Sequence, residues 1–225
     1  MDLCTRVHNY NYMTYEKQIT EDGSITFWNE KFGQSYHSKH GAYREALEKH
    51  VQACKISELA KVSNELNILD ICFGLGYNSF VAIAEALKAN PEIKLNIYAL
   101  ENDPEIIQKI SEIEFGNDLK SIVENFIRGE GPIKVLIGDA RETLKTLDDN
   151  FFHAVFFDPF SPKVCPELWT AEFISETVSK ARAGSYISTY SCARIVKDNF
   201  KNAGSEVLEG PKCGRRDGGV LARKL

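Results

Sequence analysis

Four acids stand where short apolar runs end: Asp70 after NIL, Glu101 after IYAL, Asp139 after KVLIG and Asp158 after HAVFF. One such carboxylate alone is an ordinary solvated loop residue. Four in succession form a pattern, because ligands of open α/β sheets sit beyond the carboxyl ends of the strands. After the first acid comes Phe73-Gly74-Leu75-Gly76-Tyr77-Asn78, in which two glycines let the backbone pass close to a ligand before a helix begins. Ser79 occupies the place of the third glycine of a dinucleotide fingerprint. Glu101 follows Gly76 by 25 residues, where a carboxylate can accept hydrogen bonds from both hydroxyls of a ribose. Gly138-Asp139-Ala140 offers a carboxylate and the next backbone N–H where an adenine edge would lie.

These positions suit a nucleoside cofactor. NAD and S-adenosylmethionine would both use Glu101, whereas an acid at the third strand end is expected for S-adenosylmethionine and not required by a dinucleotide. The predicted cofactor site comprises Asp70, Gly74, Gly76, Asn78, Glu101, Asp139, Ala140 and Asp158. Asp158 opens the run Asp158-Pro159-Phe160-Ser161-Pro162, stiffened by two prolines. This turn resembles the acidic or amide-proline turns of amino-group methyltransferases, where acceptors at a strand end hold an N–H. His153, ahead of a buried strand, reads as structural.

The elements that must position these residues follow from periodicity. YEKQITEDGSITFW (15–28) places Asp22-Gly23 between two short alternating segments, a β-hairpin signal. In residues 41–60, Tyr43, Leu47, Val51 and Cys54 recur at the spacing of an amphipathic helix. Strands at 67–73, 95–101, 133–139, 153–158 and 185–190 alternate with helices at 78–89, 104–115, 141–147, 167–181 and 193–203. This βαβ rhythm means a parallel sheet. Two short strands, 206–209 and 218–224, close it as an antiparallel hairpin. The predicted fold is α/β, a Rossmann-like class I methyltransferase sheet with C-terminal antiparallel strands and a small N-terminal β-hairpin. Residues 1–60 form the hairpin and helix appendage and residues 61–225 the catalytic domain.

The 225 residues, 43% hydrophobic and 26% charged, suit one globular domain with a sizeable core. The N-terminus has no apolar signal-peptide core and no apolar run approaches the roughly 20 residues needed to span a bilayer, so a cytoplasmic location and no membrane partner are expected. The six cysteines show no C-x-x-C pair, which encodes neither a zinc site nor a redox dithiol. The net charge of −5 argues against a nucleic-acid partner, but it is unevenly spread. Residues 180–225 carry ten Lys or Arg against four Asp or Glu, so the C-terminal end can meet phosphate or be a solvated face.

The chain resembles the methyltransferase part of the MnmC-type tRNA 5-methylaminomethyl-2-thiouridine biosynthesis enzymes. Four stretches carry the resemblance: DGSITFWNEKFGQSYHS (22–38) with Gly41 and Glu45 beyond it, ILDICFGLGYN (68–78), VFFDPFSPKVCPELWT (155–170), and the tail from GSYISTY (184–190) to GRRDGG (214–219). DPFSP followed by PELW is the most specific. The resemblance implies methyl transfer from S-adenosylmethionine to the aminomethyl group of a wobble uridine in tRNA, with Asp158 as the catalytic residue orienting the amine. It also implies a segment 32–38 folded over the cofactor's methionine end, with Gln34 and Tyr36 in contact. On the substrate side it gives Phe160, Lys197, Lys212, Arg215 and Arg216. Two departures stand out. The best-known members continue into a flavin-dependent oxidase that exposes the amine, while this sequence stops at Leu225, so an upstream enzyme supplying the amine is expected as a partner. Family members also tend to carry further basic residues where Asp217-Gly218 follow Arg216. Two other activities share the fold: aminopropyl transfer of the spermidine synthase type, and non-catalytic RNA binding by a Rossmann module. A glycine-poor first turn weighs against the former and four intact strand-end acids against the latter.

Overall fold

The computed structural model describes residues 15–213 and 218–225. Three strands, β1 (Tyr15–Ile19), β2 (Ile25–Asn29) and β3 (Gln34–Ser35), form an antiparallel sheet in the order β1-β2-β3. The turn between β1 and β2 uses Gly23 at a φ of 81°, and Asp22 accepts from the Ser24 N–H at 2.9 Å. The expected hairpin thus gains a third, two-residue strand, too short to leave a period in the sequence.

Residues 41–60 do not form one regular helix. A short α1 (Ala42–Glu45) runs on as a π-helical segment, Ala46–Gln52, and a left-handed Lys55 separates it from α2 (Ile56–Val62). Val51, Cys54 and Ile56 are buried, packed in one cluster with Phe27 of β2 and with Ile68 and Phe80 of the main sheet and its first helix.

The main sheet has seven strands: β4 (Glu65–Ile71), β5 (Lys94–Glu101), β6 (Ile133–Ile137), β7 (Phe152–Phe157), β8 (Ala181–Thr189), β9 (Ser205–Glu209) and β10 (Val220–Lys224), in the order β6-β5-β4-β7-β8-β10-β9. β4 pairs in parallel with β5 and β7, β5 with β6, and β7 with β8. β10 slots between β8 and β9, antiparallel to both. Strand order therefore reverses at β4, whose carboxyl end faces the crevice where such sheets bind ligands.

Helices α3 (Tyr77–Ala89), α4 (Pro104–Lys109), α5 (Asn117–Ile127), α6 (Ala140–Thr143), α7 (Ala171–Lys180) and α8 (Arg194–Asn202) complete the α/β layers. Their starts follow local chemistry. Asp103 accepts from the Glu105 N–H with Pro104 at the first helical position, and Thr170 accepts from the Phe173 N–H. β4 and β7 are buried along nearly their whole length, as central parallel strands require.

Candidate active site

One cavity of about 500 Å³ opens where β4, β5 and β7 end, within the roughly 300–1,000 Å³ of small-molecule sites. Its wall combines Gln34, Tyr36 and His37 around β3, Glu45, Lys49 and His50 of the α1 and π-helical segment, Cys72 to Gly74 after β4, Asn78 of α3, Glu101, and Asp158 to Ser161 after β7. Gln34, Tyr36, Gly74, Asn78, Glu101, Asp158 and Phe160 are thus brought together.

The glycine turn serves two purposes. Gly74, at a φ of 55°, faces the cavity, and a Cβ there would sit 3.0 Å from the Tyr36 ring. Its N–H donates to Glu101 Oε2 at 2.8 Å. Gly76, at a φ of 77°, starts α3 away from the cavity wall; a Cβ would lie 2.6 Å from Phe80 and 2.7 Å from Phe73. Helix packing, and not ligand approach, demands glycine at position 76.

Glu101 accepts two further N–H groups at Oε1, from Asn102 and Asp103, each at 2.9 Å. Burial raises its pKa to about 7 against those three bonds. Oε2 accepts one N–H, so it keeps an acceptor site for a ribose hydroxyl. Asp70 behaves differently. It is wholly buried behind the turn, outside the cavity wall, with Oδ2 accepting from Ser79 Oγ at 2.6 Å and Oδ1 without a partner among the described residues. Burial pushes its pKa to about 7. Asp70 ties β4 to α3.

Two further predicted cofactor residues also lie outside the wall. Asp139 caps α6, accepting from the Arg141 N–H at 2.9 Å, and it pairs with the Arg141 guanidinium. That ion pair holds its carboxyl below the usual carboxylate range. Ala140 is the first residue of the helix so capped, and neither residue is among the cavity-lining residues.

Asp158 accepts from Asn78 Nδ2 at 3.0 Å, and its Oδ2 lies 3.5 Å from His50 Nε2. Burial would raise its pKa, but the charge of a protonated His50 and the Asn78 amide outweigh it and hold the carboxyl well below the usual range. The Asp158 turn is pinned on three sides. Trp169 Nε1 donates to the Phe160 carbonyl at 2.8 Å, Tyr190 Oη to the Pro159 carbonyl at 3.0 Å, and Gln34 Nε2 to Ser161 Oγ at 2.8 Å. The Ser161 N–H donates back to Gln34 Oε1 at 3.2 Å. Gln34 therefore latches β3 to the loop after β7, while the Phe160 ring stacks against Phe32 and Tyr36 with centroids 4.8 and 5.1 Å away.

The wall contributed by residues 45–50 was not foreseen. Bonding from i to i+5 in the π-helical segment turns Lys49 and His50 toward the same side, and Glu45 joins them. Lys49 pairs with Glu45, which also accepts from the Ser38 N–H at 2.9 Å and from Ser38 Oγ at 2.7 Å. Burial works against ionised Glu45, but Lys49 and Ser38 prevail and lower its pKa. Leaving such a buried charge without its partner typically costs about 3–5 kcal/mol. The sequence signal was a Glu-x-x-x-Lys-His run on a helix whose neighbours are apolar.

Lys197 lies apart from this cavity, in a surface hollow with Cys192, Lys201, Leu208, Glu209 and Gly218, and Lys212 is exposed. Arg215 and Arg216 fall outside the described residues.

Sheet order, glycine turn and acidic strand ends define a class I methyltransferase fold with an α/β cofactor crevice. The family model of S-adenosyl-L-methionine-dependent methyltransferases matches residues 105–225. The crystal structure of MnmC2 from Aquifex aeolicus superposes with a TM-score of 0.87 at 32% identity, covering 96% of this chain and 72% of that one. An uncharacterized protein of Methanocaldococcus jannaschii is 30% identical over 219 residues, 91% of this chain and 58% of its own length. The tRNA 5-methylaminomethyl-2-thiouridine biosynthesis bifunctional protein MnmC of Acidovorax sp. is 25% identical over 210 residues, 85% of this chain and 32% of that protein. The chain belongs to the S-adenosyl-L-methionine-dependent methyltransferase family and is of the MnmC type. Among the three activities left open by the sequence, that membership selects methyl transfer.

The cavity fits this cofactor on its own chemistry. Gly74 keeps the backbone free of a side chain that would fill the cradle under Tyr36, and Glu101 retains an acceptor for a ribose hydroxyl. When bound, S-adenosylmethionine supplies a methyl group on a positively charged sulfur.

Proposed function

We propose that the protein methylates the primary amine of a 5-aminomethyluridine, with or without a 2-thio group, at the wobble position of tRNA. The carrying observation is Asp158: a carboxylate in the cavity wall, pinned after β7 and anchored by Asn78. Methyl transfer to nitrogen is a direct displacement, so the acceptor must offer a neutral lone pair in line with the reacting methyl. An alkylamine arrives largely as ammonium. A fixed carboxylate attracts the ammonium, accepts its N–H bonds and sets its orientation, which supplies much of a rate enhancement by positioning. Phe160, two residues on from Asp158 and also in the cavity wall, is in this reading an aromatic contact for the uracil ring.

The tRNA 5-methylaminomethyl-2-thiouridine biosynthesis for which the bifunctional MnmC relatives are named supports a tRNA substrate, although this chain matches only about a third of the length of the Acidovorax protein. In this reading Lys197, Lys212, Arg215 and Arg216 meet phosphates, contacts that carry little sequence information. Another enzyme installs the aminomethyl group, and the reaction takes place in the cytoplasm. Among the described residues no helix is long and apolar enough to cross a membrane. In this reading residues 61–225 are the catalytic domain and residues 1–60 its appendage, from which Gln34, Tyr36, Glu45, Lys49 and His50 line one side of the cavity. The test is single-turnover methylation of tRNA bearing 5-aminomethyluridine against the same tRNA with unmodified uridine. Transfer to the first alone is expected, and equal or absent transfer to both would refute the assignment.

A further inference from the structure

His50 is the unexplained group of this site. A buried imidazole on a π-helical segment, 2% exposed at its side chain, it sits behind Asp158 with Nε2 3.5 Å from Oδ2. On its other side Nδ1 lies 2.9 Å from Ser188 Oγ of β8, and the Phe156 ring packs edge-on at 5.7 Å. Such a ring, fixed at both nitrogens, costs conformational freedom and a buried polar contact that an apolar side chain would avoid.

The reading of an amine acceptor at Asp158, on which this inference rests, leaves a proton to be placed. The ammonium must shed one before its nitrogen can attack, and beside a protonated His50 the Asp158 carboxyl is held below its usual range, so the proton does not remain on it. Imidazole is the side chain whose charge ordinarily changes between pH 5 and 8. We propose that His50 takes up, through Asp158, the proton that the acceptor ammonium releases. The relay uses the tautomer in which Nδ1–H donates to Ser188 Oγ and Nε2 presents its lone pair toward Asp158. The N–H bond of the ammonium breaks toward the carboxylate, and the carboxylate passes the proton to Nε2. What remains is a neutral amine and an imidazolium paired with an ionised Asp158. The freed nitrogen lone pair forms the new N–C bond as the methyl–sulfur bond breaks, its electron pair staying on sulfur. Charge is conserved at each stage: the positive charge of the ammonium moves to His50, and that of the sulfonium to the methylated amine.

The charged and titratable groups around His50 come from every side. They are Asp158 after β7, Asp70 on β4, His37 after β3, and Glu45 and Lys49 on its own helical segment. Glu45 and Lys49 neutralise each other, and burial lowers the pKa of His37, so Asp158 is the ionised acid left in direct reach.

His50→Gln removes the proton acceptor and keeps a polar side chain of similar reach. In single-turnover assays with an anticodon stem-loop bearing 5-aminomethyluridine, the variant should be about 100-fold slower at pH 7, the scale of a lost acid–base group. The deficit should shrink as pH rises toward 9 and the amine deprotonates unaided. Ser188→Ala, which leaves the ring in place, should cost about 3- to 10-fold by freeing the tautomer. Binding of S-adenosylmethionine should stay within about threefold in both, reporting that the fold survives. A readout independent of activity is the nitrogen NMR of His50 in cofactor-free protein. At pH 8 the relay requires Nδ1–H with Nε2 unprotonated, and a proton on Nε2 would overturn it, even if His50→Gln failed to fold. An active wild type whose His50→Gln variant shows the same rate and pH profile overturns the relay alone. A wild type inactive on the modified stem-loop brings down the amine assignment, and the relay with it.

Discussion

Glu101 and Asp158 close the two strands that flank β4, and both line the same cavity, yet their surroundings treat the same functional group in opposite ways. Burial lifts Glu101 to a pKa of about 7, three backbone N–H groups notwithstanding. Asp158 is held well below the usual range because His50 and Asn78 face it. The difference teaches that burial alone does not decide ionisation here. Dipoles of the backbone soften the penalty at Glu101, and only a potentially cationic neighbour reverses it. A carboxylate suited to recognising hydroxyls and one suited to holding a cation thus arise from one residue class.

The sharpest way to break this comparison is at Asp158. Asp158→Asn keeps the shape without the charge and Asp158→Ala removes both. Each should bind S-adenosylmethionine nearly normally and lose single-turnover methylation by about 100-fold or more. Near-normal rates in the alanine variant would move amine orientation to another residue. At Glu101 the expected effect is smaller and falls on affinity. Glu101→Ala should weaken S-adenosylmethionine by about 10- to 100-fold, as a buried charge-assisted hydrogen bond contributes about 1.5–3 kcal/mol. Wild-type affinity should also rise with pH up to about 7 and then level, because only the ionised carboxylate accepts freely. A flat titration calorimetry series from pH 5.5 to 8 would contradict that.

Asp70 gives a third contrast, a carboxyl with neither cavity nor cation. Its folded pKa of about 7 lies above the ordinary value, so the folded chain holds the proton more tightly than the unfolded chain. Stability from this group is complete below about pH 4 and is lost as pH rises through about 7. Asp70→Asn keeps a partner for Ser79 and removes the ionisation. It should therefore melt higher than wild type at pH 8, by about 2–4 kcal/mol of stability, with the advantage smaller at pH 5 and gone near pH 4. The same melting difference at both pH values would mean that folded Asp70 is ionised throughout and that its pKa is not raised. Smallest is the latch between the two halves. Gln34→Ala loses both bonds to Ser161 and should weaken cofactor binding by about 3- to 10-fold. Limited proteolysis of the 32–38 segment should then be faster, and cofactor should protect it less than in wild type.

The strands and the acids ending them were legible, since period and strand-end chemistry speak directly. Less legible was which acid meets ligand and which serves the fold. Asp139 and Arg141, two residues apart, already spelled a capped helix, and Asp70 was followed nine residues on by its hydroxyl partner Ser79. Helix α5 was missed although Leu119, Ile122, Val123 and Phe126 recur at helical spacing. His50 escaped for a different reason. A 3.6-residue period over residues 41–60 groups Tyr43, Leu47, Val51 and Cys54, and a π-helical stretch does not keep that period.

That winding decides which side chains can meet. A segment bonded from i to i+5 places residues five apart on nearly one face. Wound instead as regular α-helix, residues 45 to 50 would turn through five steps of about 100°, leaving Glu45 and His50 about 140° apart. They could not then share a wall. This side of the cavity depends on winding as much as on side-chain identity: a sequence retaining every polar residue but forming ordinary helix there would keep the letters of the site and lose its geometry.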